Sequence, residues 1–286
     1  MSRIAYVNGS YVPHRDASIH VEDRGYQFAD GVYEVCEVRG GRLVDARRHL
    51  DRLDRSLREL RIAAPMSRAS LTLVLRETVA RNRVVNGMVY VQVTRGVARR
   101  DHPFPPPETP PSIVVTARRS DVAAQEAAAA AGVKVISVPE NRWPRVDIKT
   151  VGLLPNVLAK QAAKEAGARE AWFVDAQGHV TEGASTNAWI VTLDRTIVTR
   201  PAEEGILRGI TRTVVLEEAQ ALGYAVAERP FTLAEAHGAA EAFITAASTL
   251  VMPVVAIDGQ PVGDGRPGPV ATALRRKFHD FTEFSD

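Results

Sequence analysis

Cysteine is all but missing from this chain of 286 residues: Cys36 is the only one. A disulfide framework or a cysteine-ligated zinc site is therefore excluded within one chain, and no metal is expected. No apolar stretch approaches the length of a membrane span. No run of five or more like charges occurs and the formal net charge is only +2, so nothing points to nucleic acid or to an acidic membrane as partner. The stretch from Met1 to Asp16 lacks the charged segment followed by a long apolar one that marks a secretory signal. The expectation is a cytoplasmic protein acting on a small molecule.

Lysine is scarce as well. Of 36 basic residues only five are lysines, at 134, 149, 160, 164 and 277. Arginine is the default cation, so a lysine in apolar surroundings stands out as a position where amine chemistry is needed that a guanidinium cannot do. Lys149 is that position, in Val146-Asp147-Ile148-Lys149-Thr150-Val151-Gly152-Leu153-Leu154. A lysine there either snorkels toward water or serves a reaction, since burial of an amine frees its lone pair for attack on a carbonyl.

What is present in quantity is ordinary globular material, 45% hydrophobic and 24% charged, enough for two domains. Strand patterns are expected at Ile4–Val7 and from Gly31 to Val44, turning at Arg39-Gly40-Gly41-Arg42. From Ala46 to Leu60 the leucines at 50, 53, 57 and 60 form one helical stripe, and a second helix is expected over Ser67–Arg81. Strands return at Met88–Thr94 and Ser112–Ala117 around a proline-rich loop, His102–Pro111, that cannot be regular. An alanine-rich helix between Ser120 and Gly132 reads as a connector. The expected division is therefore 1–119, a connector 120–132, and a larger part 133–286. Beyond the connector come strand-like runs at 133–138, 171–174, 188–193, 225–228, 242–246 and 254–257, with helices over 154–166 and 209–222. The class is α/β with two unequal domains.

Other constellations carry two readings each. Val180-Thr181-Glu182-Gly183-Ala184-Ser185-Thr186-Asn187 is either a polar hairpin edge or the carrier of a carboxylate that holds a protonated ring nitrogen. Gly209-Ile210-Thr211-Arg212 opens a helix, so Thr211 is a plain cap or part of an anion site. Arg52 pairs with Glu22, Asp51 or another acid, or binds an anion. Arg100 and His102 are solvated loop charge, or paired donors for a carboxylate.

Read in order, these segments resemble the fold-type IV enzymes dependent on pyridoxal 5′-phosphate (PLP), the branched-chain aminotransferase and aminodeoxychorismate lyase group, and most closely the bacterial D-amino-acid aminotransferases. The resemblance runs over nearly the whole chain, through Glu22–Phe28, Asp30–Glu34, His49–Leu53, Val93–Gly96, Asp147–Lys149, Leu158–Gln161, Thr181–Gly183 and Gly209–Arg212. It implies a homodimer of two α/β domains per chain, with the active site in the cleft between them. It implies that Lys149 carries PLP and moves the proton. Glu182 would meet the pyridine nitrogen, Arg52, Ile210 and Thr211 would surround the phosphate, Leu207 would lie against the ring, and Arg142 would support them. Tyr33, Arg100 and His102 match the carboxylate-binding residues of the D-amino-acid enzymes, the last two reaching across the dimer. The implied reaction moves an amino group from a D-amino acid such as D-alanine or D-glutamate to 2-oxoglutarate or pyruvate, by a ping-pong route through pyridoxamine phosphate. Branched-chain L-amino-acid transamination and aminodeoxychorismate lyase activity are the alternatives. One departure stands out. Ala246 and Ala247 replace hydroxyl residues of the closest relatives, leaving backbone groups there, at Ala247 above all, to meet the phosphate.

Overall fold

Alternation of buried and outward side chains builds the first of two compact units in this computed structural model, which describes residues 3–202 and 205–285. The first unit holds the described chain up to Asp121 together with Ile148–Gly152 and the stretch from Glu283. Its elements are β1 (Ile4–Val7), β2 (Ser10–Pro13), α1 (Arg24–Phe28), β3 (Gly31–Arg39), β4 (Arg42–Val44), α2 (Ala46–Glu59), α3 (Arg68–Arg81), β5 (Gly87–Thr94) and β6 (Ser112–Arg119). With the C-terminal strand Phe284–Ser285 outermost, the sheet runs C-terminal strand, β4, β3, β5, β6, β1, β2. Gly40 and Gly41, at φ 58° and 80°, form the two-residue turn between β3 and β4. Positive φ at both central positions is the geometry whose twist matches paired strands. Val32, Cys36 and Val38 on one face of β3 join Leu50, Leu53 and Leu57 of α2 and Leu75 and Val79 of α3 in one core. Ser67 accepts the Ser70 amide at 3.1 Å and caps α3 where the sequence placed its start.

The second unit holds Val122–Asp147 and Leu153–Thr282. Its elements are α4 (Val122–Ala131), β7 (Val133–Pro139), α5 (Leu154–Glu165), β8 (Glu170–Val174), β9 (Val180–Gly183), β10 (Asn187–Val191), β11 (Ile197–Thr199), α6 (Ile210–Ala221), β12 (Val226–Glu228), α7 (Leu233–His237), β13 (Glu241–Ala246), β14 (Leu250–Ile257), β15 (Gln260–Pro261) and α8 (Pro269–Lys277). The sheet order is β12, β11, β10, β13, β14, β7, β8, β9, with β15 paired to β14. β10 is buried on both faces, and its alternate residues serve different cores. Ala188 and Ile190 pack with Trp172 and Phe231, while Trp189 and Val191 pack with Val214 and Val215 of α6 and Leu274 of α8. A strand covered twice reads as a continuous apolar run, which is how its sequence looks.

The division differs from the one expected at 119 and 132. The alanine-rich helix α4 belongs to the second unit, and Ile148–Gly152 and the C-terminal strand return to the first. Strand pairing made by residues distant in sequence draws them back, and composition carries no sign of it.

Glu218 sits on α6 beside Val214, Val215 and Ala219, and neither of its carboxylate oxygens has a hydrogen-bond partner among the described residues. Burial, with Asp280 nearby and Lys277 opposing only in part, pushes its carboxyl up to about 8. An acid with a raised native pKa holds its proton more tightly when folded. Stability therefore falls as pH rises from the ordinary carboxylate range to about pH 8. Glu218→Gln is expected to raise Tm near pH 9, by about 2–4 °C per kcal/mol relieved, and to leave it unchanged near pH 5. Thermal scans at the two values check this, and equal shifts at both would contradict it.

Candidate active site

In the first unit the placement of Lys149 follows from strand alternation. The segment Ile148–Gly152 lies along β3, with Tyr33 N–H donating to the Lys149 carbonyl and Val151 N–H to that of Gly31, both at 3.0 Å. Ile148 joins the core under the sheet, so its neighbour Lys149 faces the other way. There the Lys149 Nζ lies 4.3 Å from the centre of the Tyr33 ring. The amine makes no hydrogen bond or ion pair among the described residues. Tyr33 in turn meets the Tyr90 ring at 5.5 Å, and the Tyr90 hydroxyl donates to Gln92 Oε1 at 2.6 Å. Burial, helped by Tyr33, raises the Tyr90 phenol so that it stays a neutral donor.

On the opposite face of β3, Glu34 is wholly buried. His49 and Arg52, one turn apart on α2, both reach it: His49 Nδ1 at 2.8 Å, Arg52 Nε at 2.6 Å and Nη2 at 2.8 Å. Burial opposes the charge on Glu34, yet the Arg52 guanidinium and His49 hold its carboxyl far below the usual range. The acid expected for Arg52 was Glu22, Asp51 or another; it is Glu34, eighteen residues upstream, and the pair is buried rather than superficial. Arg100 and His102 lie exposed on an irregular loop against the Phe28 ring, at 5.2 and 5.5 Å. Neither makes a hydrogen bond, ion pair or ring contact with Tyr33 or Lys149 among the described residues.

In the second unit, Glu182 lies on β9, which pairs antiparallel with β8 at the edge of the sheet, so the hairpin edge is there but its residues are buried. Its Oε1 accepts from Arg142 Nη1 at 2.6 Å, and its Oε2 from Asn187 Nδ2 at 3.0 Å and from the Leu207 amide at 3.1 Å. Arg142 turns its remaining fork to Glu140, at 2.9 and 2.6 Å, and covers the Phe173 ring. Burial works against the Glu140 charge, but bonds to Arg142 and Thr181 keep its carboxyl low. Asn187 Nδ2 also donates to the Leu207 carbonyl at 2.9 Å, tying both sides of that residue to the carboxylate. Gly209 caps α6, and a Cβ there would stand 2.1 Å from Asn187 Oδ1, so only glycine lets the helix start this close. Ile210 and Thr211 follow in the first turn, where amides lack intrahelical partners.

Ala246 ends β13 and Ala247 opens the turn into β14. The amides of Ala247 and Ser248 have no protein partner among the described residues, and Thr249 Oγ1 is buried without one. Within the second unit a fixed buried carboxylate suits a ring nitrogen and unspent amides suit a phosphate, as a phosphorylated pyridine needs; within the first, the uncommitted Lys149 amine suits a carbonyl. Asn187, Glu140 and Tyr90 went unassigned from the sequence, because their roles depend on partners across strands.

Removing Arg142 leaves two carboxylates without their shared cation. Arg142→Leu is expected to cost about 3–5 kcal/mol in urea unfolding. A loss under about 1 kcal/mol would show that Asn187 and the Leu207 amide suffice.

The Amino-transferase class IV family model matches residues 31–257. The chain is 38% identical over 279 residues to the D-alanine aminotransferase of Staphylococcus haemolyticus, covering 97% of each. It is 40% identical over 275 residues to that of Bacillus licheniformis, covering 95% of each. A solved branched-chain amino acid aminotransferase from T.th., with pyridoxamine 5′-phosphate, superposes with a TM-score of 0.89 at 28% identity, over 98% of this chain and 94% of that one. The Escherichia coli branched-chain enzyme, at 23% identity, has the same TM-score over the same shares and attests the fold alone.

Proposed function

The chain belongs to the class IV aminotransferases, PLP-dependent enzymes of fold type IV, and from that premise we propose that it moves the amino group of a D-amino acid to a 2-oxo acid in two half-reactions, as a homodimer. The observation that carries this is the uncommitted Lys149 amine over the Tyr33 ring. When bound, PLP supplies the carbonyl that takes up the amino group and a ring that draws electrons from the substrate's Cα.

The protein's part is to hold and to move protons. Glu182, whose carboxylate is fixed by hydrogen bonds from Arg142, Asn187 and the Leu207 amide, would accept a hydrogen bond from the pyridine nitrogen. The amides of Ile210, Thr211 and Ala247 would hold the phosphate, Arg52, paired with Glu34, would add charge to that end, and Leu207 would lie against the ring. Lys149 removes the proton from the substrate's Cα, and the same amine serves the reverse direction on the acceptor. Tyr33 meets the substrate carboxylate together with Arg100 and His102, which the partner subunit contributes.

Exposed Leu154, Val157 and Leu158 form an apolar stripe at helical spacing on α5, which supports a homodimer. No helix among the described residues is long and apolar enough to cross a membrane.

The D-amino-acid reading draws on the curated relatives, named D-alanine aminotransferases, and on Arg100 and His102. The structural neighbours named branched-chain aminotransferases make the L-specific reading the rival. With 2-oxoglutarate or pyruvate as acceptor, D-alanine and D-glutamate are expected to outperform L-leucine and L-valine. Arg100→Ala should lower kcat/KM for the D-donors by about ten- to a hundredfold. Preference for L-leucine would overturn the D-specific reading. Pyruvate release from aminodeoxychorismate without an acceptor would identify a lyase.

A further inference from the structure

Asp30 follows α1 and joins two arginines. Its Oδ2 accepts from Arg24 Nε at 2.8 Å and from Arg95 Nε at 2.7 Å, and its Oδ1 from Arg95 Nη2 at 2.9 Å. Both arginines are buried, and both then reach the exposed loop that carries Arg100 and His102. Arg24 donates from Nη1 to the Asp101 carbonyl at 2.6 Å and from Nη2 to the His102 carbonyl at 3.3 Å. Arg95 lies 3.7 Å from the centre of the Phe104 ring, two residues further on. The ring of Phe28, at the end of α1, meets Arg24 at 4.8 Å as well as Arg100 and His102. Arg100 and His102 have no ion pair among the described residues.

Burying a guanidinium costs free energy unless its donors are spent on fixed acceptors. Arg24 spends two groups on main-chain carbonyls of a loop that is otherwise in water. Loops in water are ordinarily mobile, and ordering two donors before a ligand arrives lowers the entropy cost of binding it.

We propose that Arg24, anchored by Asp30, is a positioning residue that fixes the 101–102 backbone and so presents Arg100 and His102 to the carboxylate of the substrate. This rests on the reading of Arg100 and His102 as carboxylate donors. Arg24 touches no substrate itself. Its effect appears in KM rather than in kcat, because proton transfer at Cα belongs to Lys149.

The test is steady-state kinetics of the holoenzyme on D-alanine, with amide hydrogen exchange of residues 97–104. Arg24→Lys keeps a cation for Asp30 but loses the fork that spans both carbonyls. The expected result is a KM about tenfold higher, a kcat within about threefold of wild type, and faster exchange confined to the loop. Phe28→Leu, which leaves the Arg24–Asp30 pair intact, is expected to give the same split to a smaller degree, and it stands in should Arg24→Lys not fold. An unchanged KM, or a fall in kcat at unchanged KM, overturns the proposal. Arg100→Ala separates the two levels. If it raises KM while the Arg24 and Phe28 variants do not, only the positioning role fails; if it leaves KM alone, the carboxylate reading fails and this inference with it.

Discussion

Two backbone hydrogen bonds hold the candidate site's central residue in place. Tyr33 N–H to the Lys149 carbonyl and Val151 N–H to the Gly31 carbonyl lay the segment 148–152 along β3. Because side chains alternate along an extended chain, this register commits Ile148 to the core and Lys149 to the face of Tyr33. A slip of one residue would bury the amine and expose the isoleucine. The apolar cost of that exchange is what fixes the register, so core packing, not the lysine, specifies where the lysine goes.

Arginine and lysine divide the labour along chemical lines. Guanidinium groups meet several carboxylates: Arg52 gives two N–H groups to Glu34 and Arg95 two to Asp30, Arg24 adds one to Asp30, and Arg142 gives two to Glu140 and one to Glu182. A planar fork satisfies two acceptor lone pairs in one fixed geometry, which is what a carboxylate removed from water needs. The lysines behave otherwise. Lys160 donates to the Arg169 carbonyl and lies 3.4 Å from the buried Glu170, Lys277 lies near Asp280, and Lys134 and Lys164 are exposed. Lys149 alone among the five is drawn onto an aromatic face with its amine uncommitted.

The sequence was legible where the signal is local. The leucine stripe of α2, the Ser67 cap of α3, the Gly40–Gly41 turn and the twice-covered strand β10 all appear close to their expected bounds, because periodicity and turn chemistry are properties of short windows. The short helix α1, β2, β11, α7 and α8 escaped notice, being brief or weakly patterned. What local signal cannot carry is return. Nothing in 148–152 or in Phe284–Ser285 announces that these stretches rejoin the first unit, and nothing near Arg52 singles out Glu34 over Glu22 or Asp51. For Glu182 the composition of its segment pointed to a polar hairpin edge, and β9 is an edge strand paired with β8, but nothing in it announced burial. Its burial follows from pairing with β8 and from the reach of Arg142, forty residues upstream. The resemblance to a family supplied Glu182 and Arg142; it did not supply Glu34 as the partner of Arg52.

The proposed role of Lys149 as the residue that bears the cofactor is open to a chemical test. Reduction of the purified, PLP-loaded protein with borohydride, followed by peptide mass spectrometry, tests it most directly. A pyridoxyl adduct is expected on the peptide containing Lys149, and its loss in Lys149→Ala. An adduct on Lys134, Lys160, Lys164 or Lys277, or none at all, would contradict it.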